Sequence, residues 1–303
     1  MRKILILGNG LVGNAIFKNL TENQENQVFS LARRDLDFRN STELETQIDL
    51  IKPDVVIIAA GVVGGIERNA TEPLELGLQN SEILVSVVRV CVNLRIENVI
   101  NLVPACVYPA NLSQRMNPAD LWTGPMEQSS LPYSTAKMLG LVLIEAARAQ
   151  FKFNWISVVS TNLYGDDSSI ESHKAHVIPA LLRKFHKAKL LNSNEVRLLG
   201  DGTSVREFLH ADDFANAIEH IMKKQLYVDS IINVSGPSLC TVRELSQIIR
   251  KVACYEGNVV FSNDGQNGTA AKLLDGTRLK ESGWEPRISL EEGIVRAYAK
   301  ILP

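Results

Sequence analysis

Lys3-Ile4-Leu5-Ile6-Leu7-Gly8-Asn9-Gly10-Leu11-Val12-Gly13 is the stretch whose reading decides the fold. A short apolar run passes at once into GxGxxG, and a helical pattern follows from about Leu11 to Leu20. Each glycine answers a steric demand. The first permits a tight turn, the second lets backbone approach a pyrophosphate at the positive end of the helix, and the third allows close helix–strand packing. The motif by itself is weak. Its place between a strand and a helix, opening a βαβ unit, gives it weight. Gly8, Asn9, Gly10, Leu11, Val12 and Gly13 are therefore the expected dinucleotide cradle.

Outward from the cradle, strand and helix signals alternate. Strands are expected at Gln27–Leu31, Val55–Ala60, Asn98–Val103 and Trp155–Val159, and helices at Pro73–Leu94 and Tyr133–Gln150. Val55–Ala60 is apolar throughout, as in a strand covered on both faces. The alternation predicts an α/β fold, a Rossmann-type doubly wound parallel sheet. After Asn162-Leu163-Tyr164-Gly165 the rhythm changes. Helical stretches at Ile178–Ala188, Asp212–Lys224, Val242–Ala253 and Leu290–Ile301 alternate with short strands at Val196–Leu199, Ile231–Val234 and Val259–Phe261. Ser262 to Gly268 is polar and glycine-rich and reads as a loop. The expected division is a dinucleotide-binding Rossmann domain over 1–165 and a mainly substrate-binding, smaller mixed α/β lobe over 166–303. Some elements of the second part are expected to return to the Rossmann sheet.

The 303 residues carry 32 basic and 34 acidic side chains, a formal net charge of −2. That balance argues against binding nucleic acid or a membrane surface through bulk electrostatics. The apolar run Ile4–Leu7 is too short for the core of a signal peptide, and no stretch approaches the ~20 apolar residues of a membrane span. Cys91, Cys106, Cys240 and Cys254 are scattered without a CxxC and read as free thiols of a reducing cytoplasm. His173 and His176 lie three apart with no further ligand nearby, so no metal site is expected.

The second strand runs into Ala32-Arg33-Arg34-Asp35. An NAD site usually places an acid there to hold the ribose 2′-hydroxyl. Arg33 and Arg34 instead suit a 2′-phosphate, while Asp35 and Asp37 come slightly late. NADPH is the expected cofactor, with solvated loop arginines as the alternative. Tyr133-Ser134-Thr135-Ala136-Lys137 is a YxxxK at the start of a helix, so phenol and ammonium share one face. An ammonium beside a phenol favours phenolate and suits the Tyr to acid–base work, and the lysine can also bond the nicotinamide ribose.

The chain resembles the extended short-chain dehydrogenases/reductases, and among them the GDP-L-fucose synthase family. The similarity runs through nearly the whole sequence. It is carried by Ala59-Ala60-Gly61-Val62-Val63-Gly64-Gly65-Ile66, Cys106-Val107-Tyr108-Pro109, Pro132 to Lys137 and Thr161 to Gly165. His176 to Arg183, Arg206-Glu207-Phe208-Leu209-His210 with Asp212-Asp213, and Lys272 to Asp275 extend it. The resemblance implies an NADPH-dependent enzyme that epimerises C3 and C5 of a GDP-linked 4-keto-6-deoxy sugar and then reduces C4. Tyr133 would give the proton to the C4 oxygen and Lys137 would support it. Cys106 and His176 would be the acid–base pair of epimerisation, a thiol and an imidazole having usable pKa values. Ala59, Ala60, Asn162 and His176 would also line the cofactor, and Asn162, Arg183, Arg206 and Lys272 the nucleotide diphosphate or sugar. Family members are commonly dimers built on a helix bundle, for which Pro73–Leu94 and Tyr133–Gln150 are the candidates.

Three departures from the pattern stand out. The glycine loop is one residue shorter and lacks an arginine that the family carries there. Leu199 stands where a tryptophan is common. Pro104 and Ala105 replace two serines before Cys106, the first of which bonds the substrate's keto oxygen or the tyrosine. Thr123, Ser129, Ser134 or Thr135 are the candidates for a substitute hydroxyl. A reductase or epimerase acting alone on a related 3,6-dideoxy or heptose substrate, and a non-catalytic NADP(H) sensor, are the alternatives.

Overall fold

The computed structural model describes residues 1–112, 114–165, 177–262 and 271–300. In chain order the first part holds β1 (Arg2–Leu7), α1 (Leu11–Thr21), β2 (Asn26–Leu31), α2 (Ser41–Ile51), β3 (Val55–Ile58), α3 (Ile66–Thr71), α4 (Pro73–Asn93), β4 (Asn98–Pro104), α5 (Leu131–Phe151), β5 (Asn154–Ser160) and β6 (Asn162–Tyr164). The rest holds α6 (Val177–Leu190), β7 (Glu195–Leu199), β8 (Val205–His210), α7 (Ala211–Lys224), β9 (Ile231–Val234), β10 (Ser238–Thr241), α8 (Val242–Ala253), β11 (Asn258–Ser262), β12 (Ala271–Lys272), α9 (Thr277–Glu281) and α10 (Leu290–Ala299).

Six parallel strands in the order β2-β1-β3-β4-β5-β9 form the main sheet, the Rossmann-type arrangement expected. Side chains alternate across it because the strand period is two. Leu5, Leu7, Val56 and Ile58 face one core with Leu44, Ile48, Leu76, Val87 and Ile144 of α2, α4 and α5. Ile4, Ile6, Val55 and Ile57 face the other with Ile16 and Leu20 of α1 and Phe214, Ile218 and Ile221 of α7. The strand Val55–Ile58 is wholly buried, as its uniform apolar run requires, but it ends two residues before the expected Ala60.

After β6 the chain builds smaller sheets, β10-β8-β12 with β6 beside β8, and β11 beside β7. It returns through α7 to place β9 as the sixth strand, next to β5. Around the smaller sheets α6, α8 and α10 close a separate core of Leu182, Phe185, Leu245, Ile249 and Ile294. Seven elements escape the sequence pattern: α2, α3, β6, β8, β10, β12 and α9. Helix α2 offers only a narrow stripe, Leu44 and Ile48, in a polar run, and its start is set by the Asn40 side chain accepting the Glu43 amide. Strand β8 carries Arg206 and Glu207 in its interior, which hides its alternation. The expected loop over Ser262 to Gly268 lies, after Ser262, outside the described residues.

Candidate active site

The cradle is made of backbone. Gly8 has φ +110°, and its amide donates to the Leu31 carbonyl at 2.8 Å. A Cβ on Gly13 would lie 1.9 Å from the Gly8 carbonyl oxygen, so no other residue lets α1 pack this closely. Gly10 caps α1 without any side-chain hydrogen bond, and nothing stands within 4 Å of where its Cβ would be. With no side-chain cap and open space beside Gly10, the helix end can take an anion. Ala59 and Ala60 close the other wall, the Ala59 amide donating to Leu7 at 3.0 Å.

At the end of β2 the two predicted arginines part. Arg34 is 80% exposed in its side chain and lies 3.5 Å from its neighbour Asp35. Arg33 is exposed as well, though partial desolvation, followed by Arg68 and Arg39, pulls its guanidinium below the ordinary range, with Asp37 opposing. Asp37 is engaged by Arg39, whose Nε and Nη2 donate to it at 2.9 and 2.7 Å. The acid that would hold a ribose 2′-hydroxyl is thus occupied, and the nearby charge is positive.

The Tyr133–Lys137 pair stands on the first turns of α5. The Lys137 ammonium lies 5.8 Å from the Tyr133 ring centroid and donates to the Ala60 carbonyl at 3.4 Å. Burial pushes Lys137 down to about 8, with Arg33 adding to the shift and Cys106 opposing it. Burial pushes the Tyr133 phenol up, and so does Cys106. Space for the ammonium comes from Gly61, where a Cβ would sit 2.9 Å from Lys137 Nζ. Asn80, buried on α4, fixes that turn: its Oδ1 accepts the Val62 amide at 3.0 Å and its Nδ2 donates to the Val62 carbonyl at 2.9 Å.

Cys106 follows β4 in a single 3-10 turn, partly buried. Burial raises its thiol, while the Ser134 hydroxyl hydrogen-bonds to the sulfur and Lys272 and Lys137 pull the other way. Ser134 is fully buried and its Oγ lies 3.2 Å from Ser130 Oγ. Of the four candidate hydroxyls, Ser134 is the one that meets Cys106. Thr123 donates to Asp120 at 2.8 Å, Ser129 donates to Glu127 at 3.0 Å, and Thr135 is exposed. Beyond Cys106 the segment is pinned by Tyr108, which donates to Asn233 at 2.8 Å, and by Asn233 donating to the Met116 carbonyl at 2.8 Å.

Arg206 and Lys272 sit side by side in register on β8 and β12. Lys272 Nζ is 3.0 Å from Glu127 Oε2. Burial would raise the Glu127 carboxyl, but Lys272, Ser129 and Arg206 hold it below the ordinary carboxylate range. Arg206 is lowered by burial, with Glu127 opposing, and Asp213 accepts the Arg287 and Ile288 amides at 3.0 and 2.8 Å. Asn162 donates to the Glu207 carbonyl at 2.9 Å. The Glu207 carboxylate, fully buried, accepts from Arg115 at 3.3 Å and from the Leu274 amide at 3.1 Å, and ties these elements together. Arg183 lies on α6 with a buried Nη2 that has no hydrogen-bond partner among the described residues. His176 and His173 lie outside the described residues. Leu199, in the tryptophan's place, is 80% exposed.

Cys106 lies within electrostatic reach of Tyr133, Lys137 and Lys272, and Arg206 pairs with Lys272 in register. Glu127 and Asn80 join them unforeseen. A buried asparagine on an otherwise apolar helix face was the one signal for Asn80. Among the described residues no group of three or more metal-ligating side chains occurs, and no helix is long and apolar enough to cross a membrane.

The NAD dependent epimerase/dehydratase family model matches residues 4–235. The chain is 36% identical to the GDP-L-fucose synthase of Escherichia coli K12, over 98% of this chain and 95% of that one. In structure it is similar to a GDP-6-OMe-4-keto-L-xylo-heptose reductase from C. jejuni, with TM-score 0.92 and 26% identity over 98% of this chain and 97% of the other. A GDP-mannoheptose C4 reductase from Campylobacter jejuni with NADP bound gives TM-score 0.88 and 26% identity, over 99% and 98%.

Proposed function

This chain belongs to the NAD dependent epimerase/dehydratase family and, within it, to the GDP-L-fucose synthase family, and on that premise we propose that it is an NADP(H)-dependent epimerase–reductase of a GDP-linked 4-keto-6-deoxy sugar. The single observation that carries the reading is the convergence of the Cys106 thiol on the Tyr133–Lys137 pair: the thiol acts on the protonation of both Tyr133 and Lys137, and Lys137 acts on that of the thiol. A plain ketone reductase needs only the Tyr–Lys pair.

NADPH, when bound, supplies the hydride for C4; the open N-terminus of α1, the glycine cradle and Arg33 fit its phosphates. The protein's own groups do the rest. Lys272, Arg206 and Arg183 offer cations to the diphosphate. Carbons beside a ketone are acidic because the resulting anion delocalises as an enolate, and inversion needs a base on one face and an acid on the other. Cys106 is one member of that pair and His176, carried by the family resemblance, is the other. Burial raises the Cys106 thiol, and the ammoniums of Lys272 and Lys137 and the Ser134 hydroxyl oppose that rise. Tyr133 then donates its proton to the C4 oxygen; burial keeps the phenol protonated, against the phenolate that the Lys137 ammonium was expected to favour. Lys137 holds the opposite charge behind it. Division into a Rossmann part over 1–165 and a substrate lobe over 166–303, a homodimer through α4 and α5, and a cytoplasmic location belong to the same proposal.

A second reading has a specific observation behind it. Pro104 ends β4 where the serine would stand, and proline offers neither hydroxyl nor N–H. Both heptose proteins named above are reductases, so reduction of a related keto sugar without epimerisation is the competing reading. Incubation with NADPH and GDP-4-keto-6-deoxy-mannose separates them. The main reading expects nucleotide oxidation and an inverted product with wild type, and loss of inversion with Cys106→Ser. An uninverted product from wild type, or an unaltered product from Cys106→Ser, would overturn it.

A further inference from the structure

Strand β12 is two residues long and runs parallel to β8, with Lys272 opposite Arg206. Residues paired across neighbouring strands project to the same face. An ammonium and a guanidinium therefore stand side by side, and like charges so placed repel. The carboxylate that meets them comes from outside the sheet. Glu127 lies in the segment before α5, six residues ahead of Tyr133, and its Oε2 is 3.0 Å from Lys272 Nζ. Its Oε1 accepts the Ser129 hydroxyl at 3.0 Å. Only 13% of the Lys272 side chain and 29% of the Glu127 side chain are exposed, whereas both ends of a pair such as Lys251–Glu291 lie in solvent.

Strand β12 does not depend on Glu127 for its place. The Met116 amide donates to the Leu273 carbonyl and the Asp275 amide to the Met116 carbonyl, both at 2.8 Å. The Leu274 amide donates to Glu207 at 3.1 Å, and Arg115 donates to the Leu274 carbonyl at 2.9 Å. Four hydrogen bonds thus fix the backbone just beyond Lys272, and Glu127 acts on the lysine side chain alone. The carboxylate and a ligand phosphate want the same ammonium. Two anions close together in a half-buried place repel strongly, so one must give way.

We propose that Glu127 is a built-in counter-anion of the substrate site, holding the Lys272 ammonium until the diphosphate of the nucleotide sugar displaces it. This rests on the GDP-sugar reading above and adds the group that sets how strong an anion must be to enter. A ligand has to offset the pair that it opens. A diphosphate does so by reaching Lys272 and Arg206 together, because the two cations are neighbours in register.

The full chain is titrated calorimetrically with GDP, and with NADPH as a control on the other face of the cleft. Glu127→Gln keeps the size of the side chain and removes its charge. It lowers the Kd for GDP about tenfold, the scale of one charged hydrogen bond, and leaves the Kd for NADPH within about twofold. In a Lys272→Met background the same change tightens GDP by less than about threefold, because no pair remains to be opened. Weakened or unchanged GDP binding in Glu127→Gln, equal tightening in both backgrounds, or a matching change for NADPH overturns the role of Glu127. A wild type that does not bind GDP overturns the GDP-sugar reading itself, which separates the two failures.

Discussion

The two faces of the cleft are built on different principles. The cofactor face is backbone and empty space: Gly8, Gly10 and Gly13 matter for the atoms they lack. The substrate face is side chain and charge: Glu127 against Lys272, Arg206 beside them, and buried Glu207 tied to Arg115. The difference teaches where specificity is stored. A cradle of amides accepts any diphosphate offered to the helix end, whereas a net of paired charges accepts only a ligand that replaces the pairs it breaks.

That contrast can be broken where the faces meet and on each side. Tyr133→Phe, at the junction, should lower kcat for reduction about a thousandfold with the Kd for NADPH little changed, since the phenol acts as an acid and not as a ligand. Stopped-flow and fluorescence titration check both; equal losses in kcat and affinity would make Tyr133 part of the cradle. On the cofactor face, Gly13→Ala should cost about 3 kcal/mol of overpacking and weaken NADPH in step, because one methyl forces α1 away from Gly8. Denaturant melts that show no loss would mean the cradle is not set by close approach. On the substrate face, Lys272→Met should raise KM about tenfold while kcat holds, the signature of lost uniform binding. A kcat effect alone would instead place Lys272 among the reacting groups.

The smallest effect is one of pH. Lys137 is lowered by burial from an ordinary 10.5 to about 8. Across that window the unfolded chain binds the extra proton, so this group makes stability rise with pH from about 8 to 10.5. Lys137→Met should remove that rise. Parallel curves for both proteins would show that the ammonium is not buried as the structure has it.

The same contrast explains what the sequence could tell. The glycine loop and Tyr133 to Lys137 are contiguous, and their chemistry follows from spacing, so they were legible. Cys106 and Lys272 were legible only through family resemblance, because nothing local marks a lone thiol or lysine. Glu127, Asn80 and the Glu207–Arg115 pair were not legible, since each acquires meaning from a partner far along the chain. The sheet was read from uniform apolar runs such as Val55–Ile58. Strand β8 was missed because the charges that serve the site interrupt its pattern, so function masked structure at the place where function is densest.

The central claim is that one cleft moves protons at carbons beside the ketone as well as hydride to it. Turnover of GDP-4-keto-6-deoxy-mannose with NADPH in heavy water, with the product read by NMR, tests it most directly. The account predicts deuterium at both carbons flanking the C4 keto group, C3 and C5, in a product that is also reduced at C4. Reduced product without deuterium at those carbons would contradict it and leave a reductase alone.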